Sequence, residues 1–133
     1  MDNPAVYTLF AGAITTAKTA EAQTAITDLD GMSGLSLLCE LLGASGGSTI
    51  SAWVQTSLDG GTTWLDIALF TFTTSAAKKW CVLQNAAAKA IASYTALAVE
   101  GVNDGLLGDR LRVVLTSTGT YTNTTISLRA HVH

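Results

Sequence analysis

The chain is poor in charge. Only 13% of its 133 residues are Asp, Glu, Lys or Arg, about half the roughly 25% usual in globular domains. Seven Lys and Arg against ten Asp and Glu leave a net charge of −3 and a pI near 5.1, which argues against nucleic acid as a general partner, because phosphate binding needs a basic surface. Proline occurs once, at Pro4, and cysteine twice, at Cys39 and Cys81. Both cysteines fall in apolar strand-like stretches with no C-x-x-C and no nearby histidine. This reads as two free thiols packed as small hydrophobes, with a disulfide between facing strands as the alternative and metal ligation remote. No run of 18 apolar residues exists, so no transmembrane helix is expected. Met1-Asp2-Asn3-Pro4 is neither basic nor followed by an apolar core and cleavage pattern, so no signal peptide is expected either. Nucleophilic catalysis lacks its motifs: there is no G-x-S-x-G, and no Asp or Glu stands in a distinctive setting. The expectation is a protein without enzymatic activity, cofactor or resident metal.

What replaces charge is Thr, Ser and Ala. Threonine favours strands through its branched Cβ. At 48% hydrophobic residues and a mean hydropathy of +0.36, apolar surface buried against other chains is anticipated. One domain of this length buries about two thirds of its unfolded surface.

Residues 57–64 read Ser57-Leu58-Asp59-Gly60-Gly61-Thr62-Thr63-Trp64, the Asp-box pattern S-x-D-x-G-x-T-W. A carboxylate in a turn accepts hydrogen bonds from nearby backbone N–H groups. Gly60 and Gly61 tolerate positive φ, and Trp64 anchors the return strand. The motif predicts a hairpin over 50–70 in which Ser57, Asp59, Gly61, Thr63 and Trp64 are structural. Sialidases and other propellers carry such boxes, but a single copy cannot build a propeller and no internal repeat exists.

Period-two alternation supplies the other strands. Residues 1–12 form an N-terminal arm or a first strand, and 13–133 a single sandwich domain. Residues 13–28 hold one or two edge strands. Asp28-Leu29-Asp30-Gly31 is a turn that starts like a calcium loop but lacks the later ligands. Over 33–43, Leu35, Leu37, Cys39 and Leu41 share one face; flanking glycines and short length favour a central strand over a helix. A loop at 44–48 leads to the strand 49–56, with Ile50, Ala52, Val54 and Thr56 on one face. The exit strand at 64–74 carries a bulge near Ala68, and 78–84 is a further strand. Residues 85–93 (NAAAKAIAS) form a helical turn with Asn85 as N-cap, and 94–100 returns to strand spacing. In 109–115, Leu111, Val113 and Leu115 oppose Arg110 and Arg112. In 125–133, Ile126, Leu128, Ala130 and Val132 oppose Arg129, His131 and His133. With 117–123 as the connecting hairpin, Arg110, Arg112, Arg129 and His131 make one outward stripe. That stripe is either a solvated sheet face or an interface with an acidic partner protein. His131 and His133 lie two apart, but a metal would need a third ligand. About eight short strands give an all-β antiparallel sandwich or jelly roll with at most one short helix.

The segment Gln55-Thr56-Ser57-Leu58-Asp59-Gly60-Gly61-Thr62-Thr63-Trp64-Leu65-Asp66-Ile67-Ala68, the stretch Gly105-Leu106-Leu107-Gly108-Asp109-Arg110-Leu111-Arg112-Val113 and the Thr118-Gly119-Thr120 turn resemble small virion proteins of tailed bacteriophages and prophages. The resemblance covers roughly residues 48–133. It implies a non-enzymatic β-sandwich subunit, made in the host cytoplasm and assembled onto a virion. The type it favours is a capsid decoration (cement) protein, a homotrimer that sits on the major capsid protein and stabilises the shell. A tail or neck component is the alternative. So is a carbohydrate- or receptor-binding module of a tail fibre, using Trp53, Trp64 or Trp80. No contact with nucleic acid or membrane is implied.

Overall fold

A computed structural model describes residues 4–43 and 46–133; the start of the leader and part of the 44–48 loop lie outside the described residues. Nine strands follow in order: β1 (Ala5–Ala13), β2 (Lys18–Ala22), β3 (Gly34–Leu42), β4 (Thr49–Thr56), β5 (Leu65–Phe72), β6 (Ala77–Gln84), β7 (Gly101–Val102), β8 (Leu111–Thr118) and β9 (Thr125–Val132). They form two antiparallel sheets, β1-β9-β3-β6 and β2-β8-β4-β5-β7, packed as a sandwich. There is no helix among the described residues, and so none long and apolar enough to cross a membrane.

The core follows from the alternation. Leu35, Leu37, Cys39 and Leu41 of β3 meet Ile50, Ala52 and Val54 of β4, with Leu111, Val113 and Leu115 of β8 and Ile126, Leu128, Ala130 and Val132 of β9, all buried. β3 is flanked on both sides, by β9 and β6, as a central strand. The leader supplies β1, which pairs with β9 and buries Leu9. β2 is the edge strand expected within 13–28. The β4–β5 register slips between Val54↔Ala68 and Gln55↔Asp66, leaving Ile67 as the extra residue of a bulge beside Ala68.

Three expectations are corrected. β8 and β9 do not pair: β8 lies between β2 and β4, and β9 between β1 and β3 in the opposite sheet. The 117–123 segment is therefore an arch between sheets and not a hairpin. A period of two says which side of a strand is buried, but both sheets bury a side toward the same core. Residues 85–93 are not helical, and 94–100 is not a strand. Alanine propensity is a weak prior, and an isolated turn with no face to pack cannot meet the cost of helix nucleation.

The edges of the four-stranded sheet are blunted. β1 carries a register shift at Leu9. On β6, Lys79 points toward the interior. Its Nζ donates to Thr71 O at 2.6 Å and pairs with Glu100 at 2.8 Å, over the Phe72 ring. Bulges and inward charges are devices that discourage edge-to-edge pairing.

Candidate interaction face

The Asp-box forms the β4–β5 turn. Ser57 Oγ donates to Asp59 Oδ1 at 2.9 Å and accepts from the Gly61 amide at 2.9 Å; the Thr63 amide donates to Asp59 Oδ1 at 2.8 Å. The Thr63 amide and hydroxyl and the Ser57 hydroxyl hold the Asp59 carboxyl below its usual range. The two basic residues at the start of β8 buttress this turn. Arg110 donates to Gly60 O at 3.1 Å and to Asp109 Oδ1. Arg112 stacks 4.4 Å over the Trp64 ring while its Nε donates to Gln55. All five residues of the box thus sit in one structural turn. Because folding lowers the Asp59 pKa, its contribution to stability is present above the ordinary value of 3.8 and lost as pH falls through the folded value. We expect Asp59→Ala to abolish hydrogen-exchange protection of the Thr63 amide at neutral pH. In the unsubstituted protein the same amide should lose protection only in acid. Equal Thr63 exchange in both proteins at neutral pH would reject this assignment.

The stripe expected from Arg110, Arg112, Arg129 and His131 does not exist, because β8 and β9 belong to different sheets. Arg110 and Arg112 lie with the box on the five-stranded sheet. Arg129 and His131 stand on the outer face of the four-stranded sheet.

The two outer faces differ in kind. On the five-stranded sheet the cross-strand row Val114–Trp53–Leu69 is covered by the chain itself. Residues 85–100 run over it as a strap. Trp53 Nε1 donates to Leu97 O at 2.9 Å, the Leu97 amide donates to Asp66 Oδ2 at 3.0 Å, and the Asp66 amide donates to Tyr94 Oη at 2.8 Å. Asn103 Nδ2 ties both Asp66 O and Thr95 O. Val114 and Leu69 end up buried although they point away from the core.

No described segment of the chain covers the four-stranded sheet in this way. Two rows cross it: Thr8–Arg129–Leu38–Trp80 and Val6–His131–Ser36–Val82. Trp80 is 73% exposed, Val6 63%, Val82 52% and Leu38 36%. Together with Arg129 and His131 they line a shallow depression of about 420 Å³. Below these rows Glu40 meets Lys78 at 3.9 Å. Arg129 makes no ion pair among the described residues. A second groove of similar size, about 410 Å³, is the open side of the sandwich between β6 and β5 and is crossed by the Lys79–Glu100 pair.

The remaining expected residues fall as follows. Cys39 and Cys81 are free thiols. Burial pushes them up to about 12 and about 11, which suppresses the thiolate. The His131 and His133 rings lie 5.7 Å apart, and no group of three or more metal-ligating side chains occurs among the described residues. Trp53 and Trp64 are engaged internally, leaving Trp80 as the freely presented tryptophan. The signal for the face was present in the sequence: Trp80 and Val82 alternate with Cys81 and Leu83, so β6 is apolar on both sides. Comparisons of the chain with protein-family profiles, with curated proteins and with solved structures find no match.

Proposed function

We propose that the protein is a non-enzymatic structural subunit of a tailed-phage virion, of the capsid decoration type. One observation carries this reading beyond the sequence resemblance: an apolar sheet face left open to solvent on a sandwich whose other face is closed by its own strap. Scattered surface hydrophobes are ordinary, whereas a contiguous exposed patch marks an interaction site. A subunit that binds the assembled lattice and not free shell protein stabilises the shell by mass action. Weak contacts repeated within an oligomer add avidity.

In this reading the oligomer, a trimer, forms through the strap, where Ile91 is 105% exposed and Val99 75%. Ile91→Asp is expected to reduce the mass seen by light scattering to that of the 13.8 kDa chain. An unchanged mass would remove the strap from the contact. The leader is a poor place for such a test, because β1 is part of the sheet and its deletion unpairs β9.

The decisive experiment is the copy number in purified particles from the source, by quantitative mass spectrometry against the major shell protein. A fixed, large fraction of the shell subunit count supports decoration. A few copies per particle place the chain in the tail or neck, and absence removes the virion reading.

A further inference from the structure

We infer that the outer face of the four-stranded sheet docks a segment of a different protein that presents a carboxylate beside an apolar side chain, the carboxylate pairing with Arg129 and the apolar group seating on Leu38 and Trp80. The inference rests on the virion reading above and names the chemistry of its partner. The charges on the face are of one sign apart from Glu40, which Lys78 already meets. Arg129 lies between Thr8 and the apolar pair Leu38–Trp80 in its row, with no ion pair among the described residues, on a protein that is acidic overall. A guanidinium beside Leu38 that is shielded from water on docking demands an anion, best met by a bidentate carboxylate.

A second copy supplies it poorly. An isologous pairing with its axis at Arg129 sets one guanidinium against the other, and like charges across an interface are costly. Most other carboxylates are already engaged, the exposed Asp30 on the β2–β3 connection excepted. Glu21, Glu100 and Asp109 are ion-paired in their own chain, and Asp59 and Asp66 are held by backbone amides and Gln55. The blunted edges at Leu9 and Lys79 turn association toward the face and away from strand addition. Geometry narrows the partner further. Arg129 and Trp80 stand two strands apart, about 10 Å, which an extended segment spans in about three residues. The carboxylate and the apolar anchor therefore lie within about three residues of each other.

The test uses the full chain and particles from the source that have been stripped of it, with binding followed by co-sedimentation. Arg129→Glu and Trp80→Ser are each expected to weaken binding about tenfold or more, while Thr24→Glu, a charge added at an exposed position on the β2–β3 connection away from both the face and the strap, leaves it unchanged. Thermal unfolding of each variant confirms that it is folded. If the unsubstituted chain binds and both face variants bind equally well, the docking face is wrong and the virion reading stands. If the unsubstituted chain does not bind stripped particles at all, both fall. A loss of oligomer mass in Arg129→Glu would assign the face to self-association and overturn the foreign partner. Binding of the chain to phosphatidylserine vesicles but not to particles would overturn it in favour of a membrane surface.

Discussion

Tyr121→Ala is expected to lower the unfolding free energy by about 4 kcal/mol, the largest loss available from a single side chain here. Tyr121 lies in the arch between β8 and β9 and is 1% exposed, the bulkiest of the fully buried side chains. It plugs the end of the sandwich. Its hydroxyl donates to Thr73 O at 2.7 Å, and Gly46 bridges to it across the β3–β4 connection. Its ring occupies the place a Cβ on Gly47 would take, and Gly47 has a φ of +68°. Truncation opens a cavity and leaves the Thr73 carbonyl without its donor. Tyr121→Phe isolates the second effect and should cost about 1 kcal/mol. Urea unfolding of the three proteins decides the matter, and a loss below about 1 kcal/mol for Tyr121→Ala would show that the end of the core collapses without it.

Gly108→Ala should be nearly as damaging, at about 3 kcal/mol and roughly 10 °C in the melting temperature. A Cβ at this position overlaps the Ser57 carbonyl oxygen and crowds Thr56 Oγ1. The obstacle is backbone, so no rotamer change relieves it. The buried Thr56 hydroxyl accepts from the Gly108 amide at 2.8 Å and donates to Arg110 O at 3.0 Å. Any retreat of the loop therefore breaks the link between the Asp-box turn and the start of β8. Gly60→Ala is the control. Its φ of +76° is strained for alanine, but nothing lies near the added methyl, so about 1 kcal/mol is expected. Equal melting temperatures for the two variants would refute the steric argument.

These two sites show where the sequence was legible and where it was not. Strands with one buried side announce themselves: Leu35, Leu37, Cys39 and Leu41 in β3 and Ile126, Leu128, Ala130 and Val132 in β9 were readable from spacing alone, and each is buried. The Asp-box announced its own turn, because its hydrogen bonds span only a few residues. Partners distant in sequence did not announce themselves. Tyr121 sits in a Thr- and Gly-rich loop and is core only because another connection folds onto it. Arg110 and Arg129 share a spacing pattern but not a sheet. The strap was hidden by its alanines; what fixes it is Trp53, Asp66 and Asn103, polar contacts made at long range. The apolar face was half visible, in the double-sided β6, but its coherence with Val6 and Leu38 depends on strand order.

The strand order also governs when the protein can fold. β9 stands between β1 and β3, so the four-stranded sheet lacks an inner member until residue 132 has been synthesised. β1 has no other partner in that sheet and waits for β9. During translation the β4–β5 hairpin and the β3–β6 pair can form, but the halves of the core remain exposed to each other and to neighbouring nascent chains. Folding then waits on contacts between strands distant in sequence, which is slow and open to aggregation. A chain made in many copies at once would meet that hazard most severely, and its yield should respond to synthesis rate and temperature more than its final stability suggests.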